Sequence, residues 1–272
     1  MMLKDDNLLI HDKITVPTQK PRTSRPRLLD LLTDNLTNYS ATIVNGRAGT
    51  GKTTLSAEFA RRTTRPVCCY KVDAADAELG DFCQYLISTL RLQRPELDAD
   101  RLMEITESVE SDRAEALAEA FVFQLAEPGN IGEELLLVII EDLHLIYDPD
   151  WVVPFFHRLL PLLPADVHLI ITCRSLPPAP LWRLRSKQML RVIEETELAF
   201  TLEETSRLFE TYGLSEEHAR IALRETNGRA AAIANFAATP GRAGRAVADS
   251  FLAIESRTAN GSIGQRSPEL PT

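Results

Sequence analysis

The stretch that most constrains this chain runs from Ala41 to Thr54, Ala-Thr-Ile-Val-Asn-Gly-Arg-Ala-Gly-Thr-Gly-Lys-Thr-Thr. A short β-branched run, Thr42-Ile43-Val44, enters the glycine-rich segment Gly46 to Thr53, and Leu55 to Arg62 follows with the composition of a helix. Strand, glycine-rich turn and helix start, in that order, make the setting of a phosphate-binding loop. Gly46, Gly49 and Gly51 permit positive φ and close backbone approach, so that successive N–H groups can cradle phosphate oxygens. The helix start adds unpaired N–H groups and the positive end of its dipole. Lys52 is expected at the β- and γ-phosphates and the Thr53 hydroxyl on Mg²⁺. The cradle comprises Gly46, Arg47, Ala48, Gly49, Thr50, Gly51, Lys52, Thr53 and Thr54. A glycine turn beside a solvated lysine is the plain alternative, and the flanking strand and helix argue against it.

A second informative stretch is Leu135-Leu136-Leu137-Val138-Ile139-Ile140-Glu141-Asp142. A continuous apolar strand suits the middle of a parallel sheet covered on both faces. Ending it in two carboxylates is costly unless they serve something, because buried charges need partners. Beside a phosphate-binding loop those partners are Mg²⁺ and an attacking water. Glu141 is then expected on the metal and Asp142 on the water. Val167 to Ser175 is a third buried strand with a polar end. Open α/β sheets bind ligands along that edge, so Arg174 either reaches a γ-phosphate or is simply solvated.

The remaining segments fit an α/β organisation. Residues 1–26 are polar and punctuated by Pro17, Pro21 and Pro26, an extended arm. Leucines from Leu28 to Leu36 predict a helix before the loop strand. Pro66 to Val72 predicts a strand, Ala77 to Leu92 a helix, and two acidic helical segments follow up to about Glu127. Asp148 to Leu163 is amphipathic and closed by Pro164. Gln188 to Ile193 makes a fifth strand. From Thr201 the pattern becomes purely helical: Thr201 with Glu204 spells a capping box, Ser215 opens a second helix and Gly228 a third. One more helix is expected over Ala243 to Ile254, and Arg257 to Thr272 has the composition of a disordered tail. The expected division is an arm (1–26), an ATPase core (27–198), a helical lid-like subdomain (199–237) and a terminal segment (238–272). The fold class is α/β: a mostly parallel five-stranded sheet with helices on both faces and a small C-terminal helical appendage.

Composition excludes several functions. A net charge of −9 over 272 residues argues against bulk attraction to nucleic acid or an anionic membrane. The start of the chain lacks the apolar core of a signal peptide, and the longest apolar run is too short to span a bilayer. A cytoplasmic location is expected. Cys68, Cys69, Cys83 and Cys173 fit no metal spacing and read as buried reduced thiols.

With both ends of the site placed, the order of segments resembles the ATPase module of MalT-like and large LuxR-type transcription regulators. These belong to the STAND class of signal-transduction P-loop ATPases. The resemblance is carried by Ser24-Arg25-Pro26-Arg27-Leu28-Leu29, Gly46 to Thr54, Val72-Asp73, and Phe82 with Tyr85-Leu86. It continues in Ile139-Ile140-Glu141-Asp142-Leu143-His144-Leu145-Ile146, Ile170 to Ser175 with Pro177-Pro178, and Phe200-Thr201 with Glu203-Glu204. It covers about residues 15–235. It implies an ATP/ADP switch reset by slow hydrolysis, with Lys52 and Thr53 on phosphate and Mg²⁺, and Glu141 as the metal-side acid. Asp142 becomes the water-activating acid, Arg174 the γ-phosphate sensor, and Arg25 lies near the adenine.

Three departures accompany the likeness. Glu141 stands where the family usually has Asp, so metal geometry is expected to differ. Gly228-Arg229 replaces a glycine-tryptophan pair. The regulators continue into a sensor and a DNA-binding helix-turn-helix, for which 272 residues leave no room, so direct DNA binding is not expected. Output is expected through an unidentified protein partner, with nucleotide-dependent self-association as a further expectation. The competing readings are a nucleotide-dependent scaffold that hydrolyses nothing, and an AAA-type DNA-transaction ATPase. A P-loop kinase for a small acceptor is the weakest, since no acceptor lid is legible.

Overall fold

Five short strands lie parallel in one sheet: β1 (Ala41–Asn45), β2 (Val67–Lys71), β3 (Leu136–Glu141), β4 (Val167–Cys173) and β5 (Leu190–Ile193), in the order β2-β3-β4-β1-β5. The computed structural model describes residues 10–18, 20–108, 110–127, 135–187 and 189–239. The helix expected over Ala243 to Ile254 and the tail beyond it lie outside the described residues, as does the start of the arm.

Every residue of β3 and β4 is buried, as expected of strands covered on both faces. Successive side chains alternate between faces. Ile43, Tyr70, Val138, Ile140, Leu169 and Ile171 join one core. That core is closed by the helices α3 (Leu79–Arg91), α4 (Ala99–Glu107), α5 (Arg113–Ala126) and α6 (Val152–Leu162). Its densest part is aromatic: Phe82 meets Trp151, Phe155 and Phe156 at centroid distances of 5.0, 5.8 and 6.0 Å. On the opposite face Val44, Cys69, Ile139 and Ile170 pack against α1 (Pro26–Asn38) and α2 (Lys52–Arg62) through Leu28, Leu32, Leu55 and Phe59. Pro26 occupies the first turn of α1, where its missing N–H costs nothing.

The arm is tied down rather than merely extended. His11–Lys13 form a short 3-10 turn, and buried Lys13 pairs with Asp73 at 2.8 Å and Asp76 at 2.7 Å. Its ammonium also sits 4.4 Å from the centroid of the Tyr85 ring. After β4, two short helices follow, α7 (Ala179–Trp182) and α8 (Glu195–Leu198), separated by a 3-10 segment and β5. Periodicity did not foreshadow α8, because four residues are too few to show one.

The chain divides between Leu198 and Ala199 into two compact units. The second holds α9 (Leu202–Glu210), α10 (Glu216–Thr226) and α11 (Ala230–Ala238) around Leu208, Phe209, Ile221, Ile233 and Phe236. Thr201 and Glu204 close the capping box reciprocally, at 3.2 and 3.0 Å. Gly228 takes φ 75°, and a Cβ there would lie 2.9 Å from that of Ala199. All four cysteines are buried and unbridged.

Candidate functional site

The glycine-rich loop leaves β1 and turns into α2 at the carboxyl edge of the sheet. Its first residue still belongs to the ladder, since Gly46 N–H donates to Cys173 O at 3.1 Å. Gly49 and Gly51 take φ of 81° and 88°, where an L side chain would be strained. Gly46 is needed for a different reason. Its φ is not positive, but an added Cβ would stand 2.9 Å from Thr50 Oγ1 and 3.1 Å from Leu198 Cδ1.

Lys52 folds back over the loop that precedes it. Its Nζ donates to Gly46 O at 2.6 Å and Arg47 O at 3.2 Å, and the residue is only 6% exposed. Burial lowers its pKa, opposed chiefly by the nearby charge of Asp142. Thr50 ties the turn with a 3.0 Å bond to Arg47 O.

Two further residues brace the loop from outside. Arg25, buried at the start of α1, donates to Gly51 O at 3.1 Å and Leu198 O at 2.9 Å. The structure thus places Arg25 on the backbone at the end of the loop. Arg47 is committed as well: its N–H donates to Glu195 Oε2 at 2.9 Å, while its guanidinium meets Glu195 Oε1 through Nε at 2.9 Å and a terminal nitrogen at 2.7 Å. The Arg47 amide therefore faces Glu195 on α8.

At the end of β3 the two acids go separate ways. Glu141 keeps strand geometry and is fully buried. Its Oε1 accepts from Ser56 Oγ on α2 at 2.5 Å, whereas Oε2 is buried without a hydrogen-bond partner. Desolvation raises its pKa, partly offset by the Ser56 bond. Asp142 turns out of the strand with φ 58°, a left-handed conformation that Asp tolerates better than most residues. Its N–H donates to Thr172 Oγ1 on β4 at 3.0 Å. Its carboxylate lies 3.8 Å from Arg174 Nε and 3.9 Å from His144 Nδ1. These are electrostatic neighbours rather than hydrogen bonds. Arg174 leaves about half of its side chain, 51%, exposed. His144 is largely buried, and desolvation lowers its pKa.

The geometry thus gathers Lys52, Asp142, Arg174 and His144 around one electrostatic neighbourhood and puts Glu141 beneath α2. Among the described residues no three His, Cys, Asp or Glu side chains converge to hold a metal on their own. A Mg²⁺ bound by one carboxylate plus phosphate oxygens and water needs no such cage. The bare, buried Oε2 of Glu141 is the acceptor such an ion would satisfy, so the residues present fit it. Ser56, Thr172 and Glu195 were not singled out from sequence. Each bonds a partner at least 30 residues away, and although Thr172 lies within the Ile170 to Ser175 stretch, no role was read for it there.

A parallel sheet with a glycine-rich loop after β1, and a buried acid at the end of a strand separated from β1 by β4, is the fold of the P-loop NTPases. Comparisons with known proteins agree. The chain is 30% identical over 204 residues to the HTH-type transcriptional regulator MalT of Serratia proteamaculans, covering 75% of this chain and 22% of that one. It is 29% identical over 187 residues to the MalT regulator of Vibrio cholerae, covering 68% and 20%. The chain therefore spans about a fifth of the length of the curated relatives it matches. Among solved structures, a signal transduction ATPase with numerous domains (STAND) that carries a tetratricopeptide repeat sensor, from Pyrococcus horikoshii, superposes with a TM-score of 0.52. That match covers 78% of this chain and 29% of the other at 18% identity. No protein-family model matches. Over about 70% of its length the chain is similar to the MalT regulators, and its fold is that of the P-loop NTPases.

Proposed function

We propose that the chain is a nucleotide switch: it binds ATP or ADP with Mg²⁺ in the 46–54 loop, hydrolyses ATP slowly, and serves transcriptional regulation through a protein partner. Support for the regulatory part comes from the relatives, which are HTH-type transcriptional regulators. A net charge of −9 favours a protein partner over direct DNA contact. The 27–198 core carries the site, and the helices of 199–237 are assigned the lid. Nucleotide-dependent self-association and a cytoplasmic location complete the reading. No helix among the described residues is long and apolar enough to cross a membrane.

The observation that carries the proposal is the bare buried oxygen of Glu141, whose other oxygen bonds Ser56 on the helix that starts at Lys52. In this reading Thr53 and Glu141 hold Mg²⁺, which supplies charge neutralisation at the phosphates when bound. Lys52 releases Gly46 O and Arg47 O to engage phosphate oxygens. The amides of Ala48, Gly49, Thr50, Gly51, Lys52, Thr53 and Thr54 supply the cradle, with Gly46 and Arg47 fixing its start. Asp142 orients and deprotonates the attacking water. Arg174, half exposed beside it, reports a γ-phosphate. Arg25 acts on the nucleotide through the Gly51 peptide, at the side assigned to the base.

Calorimetric titration with ATP and ADP, with and without Mg²⁺, tests the reading. Wild type is expected to bind both nucleotides, and Lys52→Ala to bind at least about tenfold more weakly, the loss of one charge-assisted contact. Absence of binding to wild type, or unchanged binding in Lys52→Ala, overturns it. A nucleotide-dependent scaffold that hydrolyses nothing is the second reading, favoured by the engagement of Glu141 with Ser56. An ATPase rate that disappears in Asp142→Asn excludes it.

A further inference from the structure

This inference rests on the reading of the loop and β3 as a Mg²⁺-nucleotide site and concerns which residue sets the metal-side acid. Ser56 lies one turn beyond Thr53 on α2, and positions three apart share a helix face. It is 2% exposed, and its hydroxyl stands 2.5 Å from Glu141 Oε1 and 3.1 Å from Thr53 O. A hydroxyl has one proton to give. The shorter contact, to a carboxylate, is the stronger acceptor. The second oxygen of the same carboxylate is buried and bare. Glu141 is therefore held by one oxygen only, and the other is free to serve something that the protein does not supply.

Side-chain length explains why Ser56 is the partner. An aspartate at 141 would be shorter by one carbon–carbon bond, about 1.5 Å. That is enough to lose a 2.5 Å hydrogen bond to the second turn of α2. The glutamate reaches past the start of the helix, and Ser56 is where its reach ends.

We infer that Ser56 is the positioning residue of the site: by fixing Oε1 it presents Oε2 of Glu141 to the Mg²⁺ of a bound nucleotide, and the Ser56–Glu141 pair acts as one unit. Residues that orient a metal ligand from behind typically change metal affinity by about 10- to 100-fold when removed.

The test is ATP titration with and without Mg²⁺ on wild type, Ser56→Ala, Glu141→Asp and the double variant. The quantity read is the gain in affinity that Mg²⁺ confers. Ser56→Ala is expected to reduce that gain about tenfold and to leave metal-free ATP binding unchanged. In the Glu141→Asp background the shorter acid no longer meets Ser56, so adding Ser56→Ala is expected to change nothing further. An equal effect in both backgrounds, or an undiminished gain in Ser56→Ala, overturns the inference. Ser56→Cys retains the volume with a weaker donor and serves where Ser56→Ala does not fold. An intermediate loss is expected there, and a full gain counts against the pairing. If wild type binds ATP and gains from Mg²⁺ while Ser56 is silent, only this inference falls. If wild type binds no nucleotide, the proposed function falls and takes it along.

Discussion

Arg47 and Glu195, 148 residues apart, close on each other at both backbone and side chain, with contacts of 2.9 Å to the amide and 2.7 Å to the guanidinium. One carboxylate thereby pins the first turn of the glycine-rich loop to the helix after β5. The pair is solvent-facing, so its strength depends on ionic strength. In Glu195→Ala, amide hydrogen exchange of residues 46–50 is expected to quicken at low salt. Raising salt is expected to quicken exchange in wild type and to have little effect in the variant. Equal exchange in the two proteins at low salt would show that the loop holds its shape without the latch.

Thr172 holds the strained acid. Its buried hydroxyl accepts the Asp142 N–H, and Asp142 sits at φ 58°. Thr172→Val keeps the shape and strands a backbone donor, a loss of about 1–3 kcal/mol. Urea unfolding is expected to show that drop. Thr172→Ser, which keeps the acceptor, should lose clearly less. Any residual ATPase should fall in the valine variant at unchanged ATP affinity, since Asp142 is assigned to the water and not to the nucleotide.

His168 makes stability pH-dependent. Buried at the start of β4, it lies 3.1 Å from Thr42 Oγ1 and 2.8 Å from Tyr39 O. Burial pushes its pKa down to about 4, against about 6.5 in an unfolded chain. A depressed histidine pKa means the unfolded state binds the proton more readily. Its contribution is therefore present above pH about 6.5 and is lost as pH falls toward 4, at up to about 1.4 kcal/mol per pH unit and about 3 kcal/mol in all. Urea midpoints across that window should fall more steeply for wild type than for His168→Gln. Parallel slopes would refute the assignment.

In the second unit, Thr201 and Glu204 satisfy each other's backbone amides at the start of α9. Thr201→Ala is expected to destabilise this unit by about 1 kcal/mol. Glu204→Ala should do so comparably, and the double variant by less than the sum, because the box is one interaction. Thermal melts of the three variants check this.

How much of this was legible in the sequence depended on how local each cause is. The loop was plain because Gly49, Gly51 and Lys52 sit within four residues and each has a backbone or charge reason to be there. β3 and β4 were plain because continuous apolar runs have few other uses. The capping box at Thr201 is a four-residue pattern, and it formed as written. Arg25 shows the limit: only the resemblance pointed to it, and its contacts with the carbonyls of Gly51 and Leu198, the latter 173 residues away, could not be read from its surroundings in the sequence. Ser56 was hidden because a serine inside a helix signals nothing until the strand that ends beside it is known. Glu195 belongs to a helix too short to have a period, and Asp142's left-handed backbone is one that Asp tolerates but that its identity alone does not dictate.

The placement of β4 between β1 and β3 has a consequence for how such a site can be tuned. The loop and the two acids stand on strands that never touch, two strand spacings or about 10 Å apart. The gap between them is floored by Thr172 and bordered by Arg174, both on or just past β4. β4 is thus the gauge block of the site. A shift of one residue at its carboxyl end would alter the clearance between phosphate and acid while leaving every residue of both motifs unchanged.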